Sequence, residues 1–167
     1  MSRMSEAAKG SLRIHIDGAA RGNPGPAGVG IVLQEPATRR SKEVSLYLGE
    51  TTNNVAESCA LILALQTALQ MKAVRVSVFT DSELLSRQVT GEYRVKDARL
   101  QWLHVLIRNL IQGFDSFEIQ HIPREKNRLA DRLAGRAVSE NLKKNPAGHR
   151  KKAAIAESSN AAQPTFF

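Results

Sequence analysis

The chain has 167 residues, 42% of them hydrophobic, so one domain of ordinary size with a real core is expected. Its net charge of +8 points toward a polyanionic partner. Half of that charge comes from Lys143, Lys144, Arg150, Lys151 and Lys152, set against Glu157, so the body is only moderately basic. No apolar run nears the roughly 20 residues of a membrane span, and "MSRMSEAAKGS" carries no apolar leader, so no membrane partner and a cytoplasmic location are expected. The single Cys59 excludes an internal disulfide and a cysteine-based zinc site.

In chain order, residues 1–10 read as a disordered lead. Apolar runs at 12–17 and 28–33 read as strands, joined by a loop rich in Gly and Pro. Alternation of Val44, Leu46 and Leu48 with Ser45 and Tyr47 predicts a third strand. The short links favour antiparallel pairing. Residues 54–72 predict a long helix, 74–80 a strand, 83–89 and 100–111 two helices, 117–122 a fifth strand and 128–143 a last helix. The order βββαβααβα is that of an α/β fold. It implies a mixed five-stranded sheet, three strands antiparallel and two reached by crossovers, with helices on both faces. The domain spans 11–143. Residues 144–167 form a basic, Ala- and Ser-rich tail expected to be disordered, whose charge would add a salt-sensitive grip on nucleic acid.

Four carboxylates occupy unusual places. Glu57 lies in the middle of an apolar helical stripe with Leu61, Ala64 and Ala68, where it loses hydration and calls for a cation, a metal or a mouth open to water. It can also be read as a first-turn acid favoured by the helix dipole. Asp17 and Asp81 each follow an apolar strand at its carboxyl end, where open α/β sheets gather ligands. Each could equally serve a turn or a cap, and Asp81-Ser82 precedes a helix as a cap would. Asp131 lies opposite Leu129, Leu133 and Ala137, which by itself reads as a solvated helix face. Carboxylates converging on one edge repel one another, and hard divalent cations such as Mg²⁺ or Mn²⁺ relieve that.

The segments "DGAARGNPGPAG", "TTNNVAES", "VFTDSELL" and "REKNRLADRLA" come in this order and in these settings over about residues 11–140. On them the chain resembles type I ribonuclease H. The resemblance implies that fold, and hydrolysis of the RNA strand of RNA/DNA hybrids to 5′-phosphate and 3′-hydroxyl ends. It implies two Mg²⁺ ions, with Mn²⁺ as a substitute, and a monomeric enzyme. Asp17 would bridge both ions, Asp131 would help hold the one that activates water, and Glu57 and Asp81 would hold the other. Asn23, Asn53 and Asn54 match substrate-contacting asparagines. Their other readings are turn chemistry for Asn23 and helix capping for one of the pair. Gly18 would let a nucleic-acid strand approach the backbone beside Asp17.

Three departures from the family pattern stand out. Glu83 replaces a substrate-contacting Gln, and its charge should repel phosphates. The loop that carries a catalytic-assisting His in well-studied bacterial members is compressed. His121 falls in phase with Phe117 and Ile119 as a half-buried strand residue, which leaves Arg124 or Lys126 for product release or phosphate binding. The basic handle helix is missing, with Arg94, Lys96 and Arg99 as a smaller cluster, and Trp102 reads as core. Short-looped members look similar, and double-stranded RNA is a second candidate substrate. The competing function is a non-catalytic or weakly active nucleic-acid-binding module of the reverse-transcriptase-like kind. An exonuclease is disfavoured because Gly18-Ala19 follows Asp17, where Asp-x-Glu is usual. A phosphate-cradling loop is disfavoured because no G-x-x-x-x-G-K-[ST] is present.

Overall fold

The computed structural model describes residues 10–146. The expected lead and most of the tail lie outside them. Five strands, β1 (Ser11–Ala20), β2 (Gly25–Glu35), β3 (Arg40–Thr51), β4 (Arg75–Thr80) and β5 (Ser116–His121), form one sheet in the order β3-β2-β1-β4-β5. The described residues form four α-helices, α1 (Asn53–Gln70), α2 (Glu83–Val89), α3 (Ala98–Ile111) and α4 (Arg128–Lys144), of which α1 and α4 pack on the sheet and α3 packs on α1. A single turn of 3₁₀ helix, Arg124–Lys126, precedes α4. The β1–β2 and β2–β3 pairs are antiparallel, and β4 runs parallel to both β1 and β5, as the chain order implies. Among the described residues no helix is long and apolar enough to cross a membrane.

The two faces of the sheet have different partners. Leu12, Ile14 and Ile16 of β1 and Val29, Ile31 and Leu33 of β2 join Ala60, Leu61, Ala64, Leu65 and Ala68 of α1 in one buried core. Gly18 lies on this face. A Cβ there would stand 2.2 Å from the carbonyl carbon of Ala56 and 2.3 Å from the amide nitrogen of Glu57. The missing side chain therefore seats the first turn of α1 on β1. On the other face Gly30 does the same for α4, since a Cβ there would fall 2.0 Å from the carbonyl oxygen of Ala130. Gly30 is paired directly with Asp17 across the β1–β2 ladder.

Several boundaries differ from the sequence expectation. β1 does not stop at Asp17 but runs to Ala20, because its antiparallel pairing with β2 continues through Ala20↔Ala27. Its parallel pairing with β4 does stop, at Ile16↔Thr80. β3 is twelve residues long, held along its length by β2. Neither Asn53 nor Asn54 caps α1; Thr52 does, its Oγ1 accepting from the Val55 N–H at 3.4 Å.

Trp102 is not core. It is 76% exposed on α3, whose buried residues are Leu100, His104 and Ile107. Two residues past Leu100 is about 200° around the helix, so the indole faces away from α1, against which α3 packs. His121 ends β5 as expected but is exposed rather than half-buried.

Candidate active site

β1 and β4 part company at one level. Immediately beyond their last paired residues, Ile16 and Thr80, come Asp17 and Asp81. β1 bends on toward its hairpin, while β4 gives way to the cap of α2. The crevice between them is the place where parallel sheets present ligand sites. An open cavity of about 610 Å³ lies there. Asp17, Glu57, Asp81 and Asp131 line it, with Asn53, Arg124 and the backbone of residues 18–20. All four sequence-selected acids are thus on one cavity, including Asp131, whose own surroundings in the sequence read as solvent.

Three of the four carboxylates have a holder of their own. Ser82, the cap of α2, accepts from the Leu85 N–H at 3.2 Å and donates its hydroxyl proton to Oε2 of Glu57 at 2.6 Å. Asn127 donates from Nδ2 to Oδ1 of Asp81 at 2.9 Å. Arg124 donates from Nη2 to Oδ1 of Asp131 at 2.8 Å, and among the described residues its guanidinium is the only cationic group lining the cavity. Asp17 has no hydrogen-bond donor among the described residues, and its carboxyl is pushed up to about 7. Burial is the largest cause, followed by the charges of Asp81, Asp131 and Glu57, with Arg124 opposing. Burial also raises Glu57; the Ser82 hydroxyl opposes this and Asp81 adds to it.

The donor set suits a hard divalent cation, because every charged acceptor is a carboxylate oxygen and the acids repel one another for want of positive charge. The expected cluster is nonetheless not closed. Among the described residues no group of three or more His, Cys, Asp or Glu stands arranged to hold a metal ion. Ser82, Asn127 and Arg124 each hold one of the carboxylates by a hydrogen bond.

The other expected contacts are placed unevenly. Asn53 accepts from the Ala20 N–H at 2.7 Å, and Asn23 accepts from the Asn53 N–H at 3.1 Å, so both carbonyl oxygens tie the Gly-rich loop to α1. Their Nδ2 groups remain as donors. Asn54 is exposed beside them. Glu83 does not line the cavity; Arg87 holds it at 2.9 Å and also reaches Glu92 at 3.0 Å, so its charge is compensated locally. The sequence reading missed Ser82 and Asn127 as site residues. Both look like helix caps, and only Ser82 acts as one.

A sheet ordered β3-β2-β1-β4-β5 with acids gathered where β1 and β4 part defines a ribonuclease H-like domain. The model of the reverse transcriptase-like family matches residues 15–137. A ribonuclease HI of Halobacterium salinarum is 40% identical over 131 residues, covering 78% of this chain and 66% of that protein. A ribonuclease H of Methylococcus capsulatus is 33% identical over 145 residues, covering 77% of this chain and 89% of that one. The crystal structure of LC11-RNase H1, isolated from compost, in complex with an RNA/DNA hybrid superposes with a TM-score of 0.73. That match has 43% identity and covers 78% of this chain and 99% of that one. The chain belongs to the type I ribonuclease H family. It spans only 66% of the halobacterial relative and 35% of the mycobacterial proteins that it also matches.

Proposed function

We propose that the chain is a metal-dependent endonuclease that hydrolyses the RNA strand of RNA/DNA hybrids, leaving 5′-phosphate and 3′-hydroxyl ends. The observation that carries this is the cavity itself: four carboxylates from β1, α1, the end of β4 and α4 line it, in a chain of this family. Asp17, Glu57, Asp81 and Asp131 would hold two Mg²⁺ ions, or Mn²⁺ in their place, which when bound would supply an activated water and charge neutralisation at the phosphodiester.

The chain's own groups do the rest. Ser82 aims the Glu57 carboxylate into the cavity. Arg124, on the rim and 76% exposed at its side chain, offers a guanidinium to a phosphate oxygen. The Nδ2 groups of Asn23 and Asn53, with Asn54, offer donors to sugar hydroxyls and base edges, and a 2′-hydroxyl is what separates RNA from DNA there. Gly18 supports the site from beneath by seating α1. Glu83 lies outside the cavity and shares Arg87 with Glu92, which softens its repulsion of phosphates.

Cleavage of matched hybrid, duplex RNA and duplex DNA, each with Mg²⁺ or Mn²⁺, is the test. Hybrid should be cut in its RNA strand only. Asp17→Asn should abolish cutting while still binding hybrid in a gel assay. Binding of hybrid by the wild-type chain without any cutting would move it to the non-catalytic reading.

A further inference from the structure

Asn127 stands at the N-cap position of α4, yet its side chain makes no capping hydrogen bond. An Asn there ordinarily accepts from a backbone N–H of the first helical turn. Here the side chain turns inward, and the residue is 1% exposed. Its Nδ2 donates twice, to the backbone oxygen of Ile16 at 2.9 Å and to Oδ1 of Asp81 at 2.9 Å. Both partners are acceptors, so only the amide NH₂ can face them, and the orientation of the amide is fixed by chemistry. The price is its own Oδ1, which is buried without a partner. A residue that gives up a cap and leaves a buried acceptor unsatisfied serves something other than helix stability.

What it serves follows from where its bonds go. Ile16 is the last β1 residue paired with β4 and directly precedes Asp17. Asp81 follows the end of β4. The backbone oxygen of Asn127 accepts from the N–H of Asp131 at 3.1 Å. One side chain and its own carbonyl thus join the three elements that carry Asp17, Asp81 and Asp131. We infer that Asn127 is a positioning residue of the acidic site, holding the Asp81 carboxylate against the end of β1 and so setting the grip on a divalent cation. The inference rests on the reading of the cavity as a cation site, and it adds a residue outside the four acids.

The experiment uses the full chain with Asn127→Ser and Asn127→Ala. Serine restores a good N-cap but is too short to bridge Ile16 and Asp81, so helix stability and carboxylate positioning separate. Mn²⁺ affinity is measured without nucleic acid, from the free-ion electron paramagnetic resonance signal, and kcat and KM for hybrid are measured separately. Removing such a supporting hydrogen bond should raise the Mn²⁺ dissociation constant about 10–100-fold and lower kcat similarly at limiting metal, with KM for hybrid within about twofold. Ile107→Val, in the core away from the site, is the control for destabilisation alone and should leave Mn²⁺ affinity unchanged. Wild-type Mn²⁺ affinity in folded Asn127→Ser overturns the inference. So does a loss of affinity no larger than that of Ile107→Val. If Asn127→Ala does not fold, Asn127→Ser decides alone. A wild-type chain that binds Mn²⁺ in an Asn127-dependent way but cuts no hybrid sinks the proposed activity and leaves this inference standing.

Discussion

Asp17→Asn should make the metal-free protein more stable. The Asp17 carboxyl is pushed from 3.8 to about 7 because it is buried among three other acids. A carboxyl with a raised folded value holds its proton more tightly in the native state than in the unfolded chain. Below about pH 4 both states are protonated and there is no penalty. Between about pH 4 and 7 the unfolded chain ionises first, so stability falls as pH rises. Above about pH 7 both are ionised and the native state carries the whole cost. A shift of about three units corresponds to roughly 4 kcal/mol at 1.36 kcal/mol per unit. Asparagine has the same shape and no charge, and Asp17 has no hydrogen-bond donor to lose, so the substitution removes most of that cost. For a domain of this size it should raise Tm by roughly 10 °C near pH 8, the gain shrinking to almost nothing near pH 4. Thermal melts followed by circular dichroism, in a chelator at several pH values, measure it. Adding Mg²⁺ should raise the wild-type melting temperature toward that of the variant. An Asp17→Asn protein that melts at or below wild type near pH 8 refutes the reasoning, as does a gain that does not shrink on acidification.

Three other substitutions have definite expectations. Gly18→Ala forces a Cβ into the backbone of α1 and should cost about 3 kcal/mol in urea unfolding, because neither backbone can yield cheaply. Trp102→Ala, on an exposed helix face, should change stability by no more than about 0.5 kcal/mol in the same assay. Arg124→Gln removes the guanidinium paired with Asp131, so Mn²⁺ should bind about threefold tighter in the absence of substrate, in keeping with the modest worth of an exposed ion pair. The same variant should show a raised KM for hybrid in steady-state cleavage.

The chain order of strands and helices is legible because each element has its own period of apolar residues. Glu57 is legible for the same reason: a charge within an apolar helical stripe contradicts its surroundings. Asp131 is not, because its neighbours along α4 are ordinary and only the approach of α4 to β1 brings it to the cavity. Ser82 and Asn127 are hidden by their own plausibility as caps. Nothing local distinguishes a serine that caps and also aims a carboxylate from one that only caps. The end of β1 is obscured because one strand obeys two neighbours, leaving β4 at Ile16 while staying with β2 to Ala20. Gly18 is conspicuous in the sequence, but the helix it accommodates lies almost 40 residues further along the chain.

Gly30 has a bearing on how the site could be altered. It lies opposite Asp17 on the sheet, and the carbonyl it makes room for belongs to Ala130, the residue before Asp131. The span between these two acids is thus gauged through the sheet by backbone touching backbone, with no side chain to trim. Transplanting the four acids onto another scaffold would not reproduce that spacing unless the gap at position 30 were transplanted too. Conversely, one methyl group at residue 30, remote from solvent and carrying no charge, would act as a shim that widens the mouth of the site.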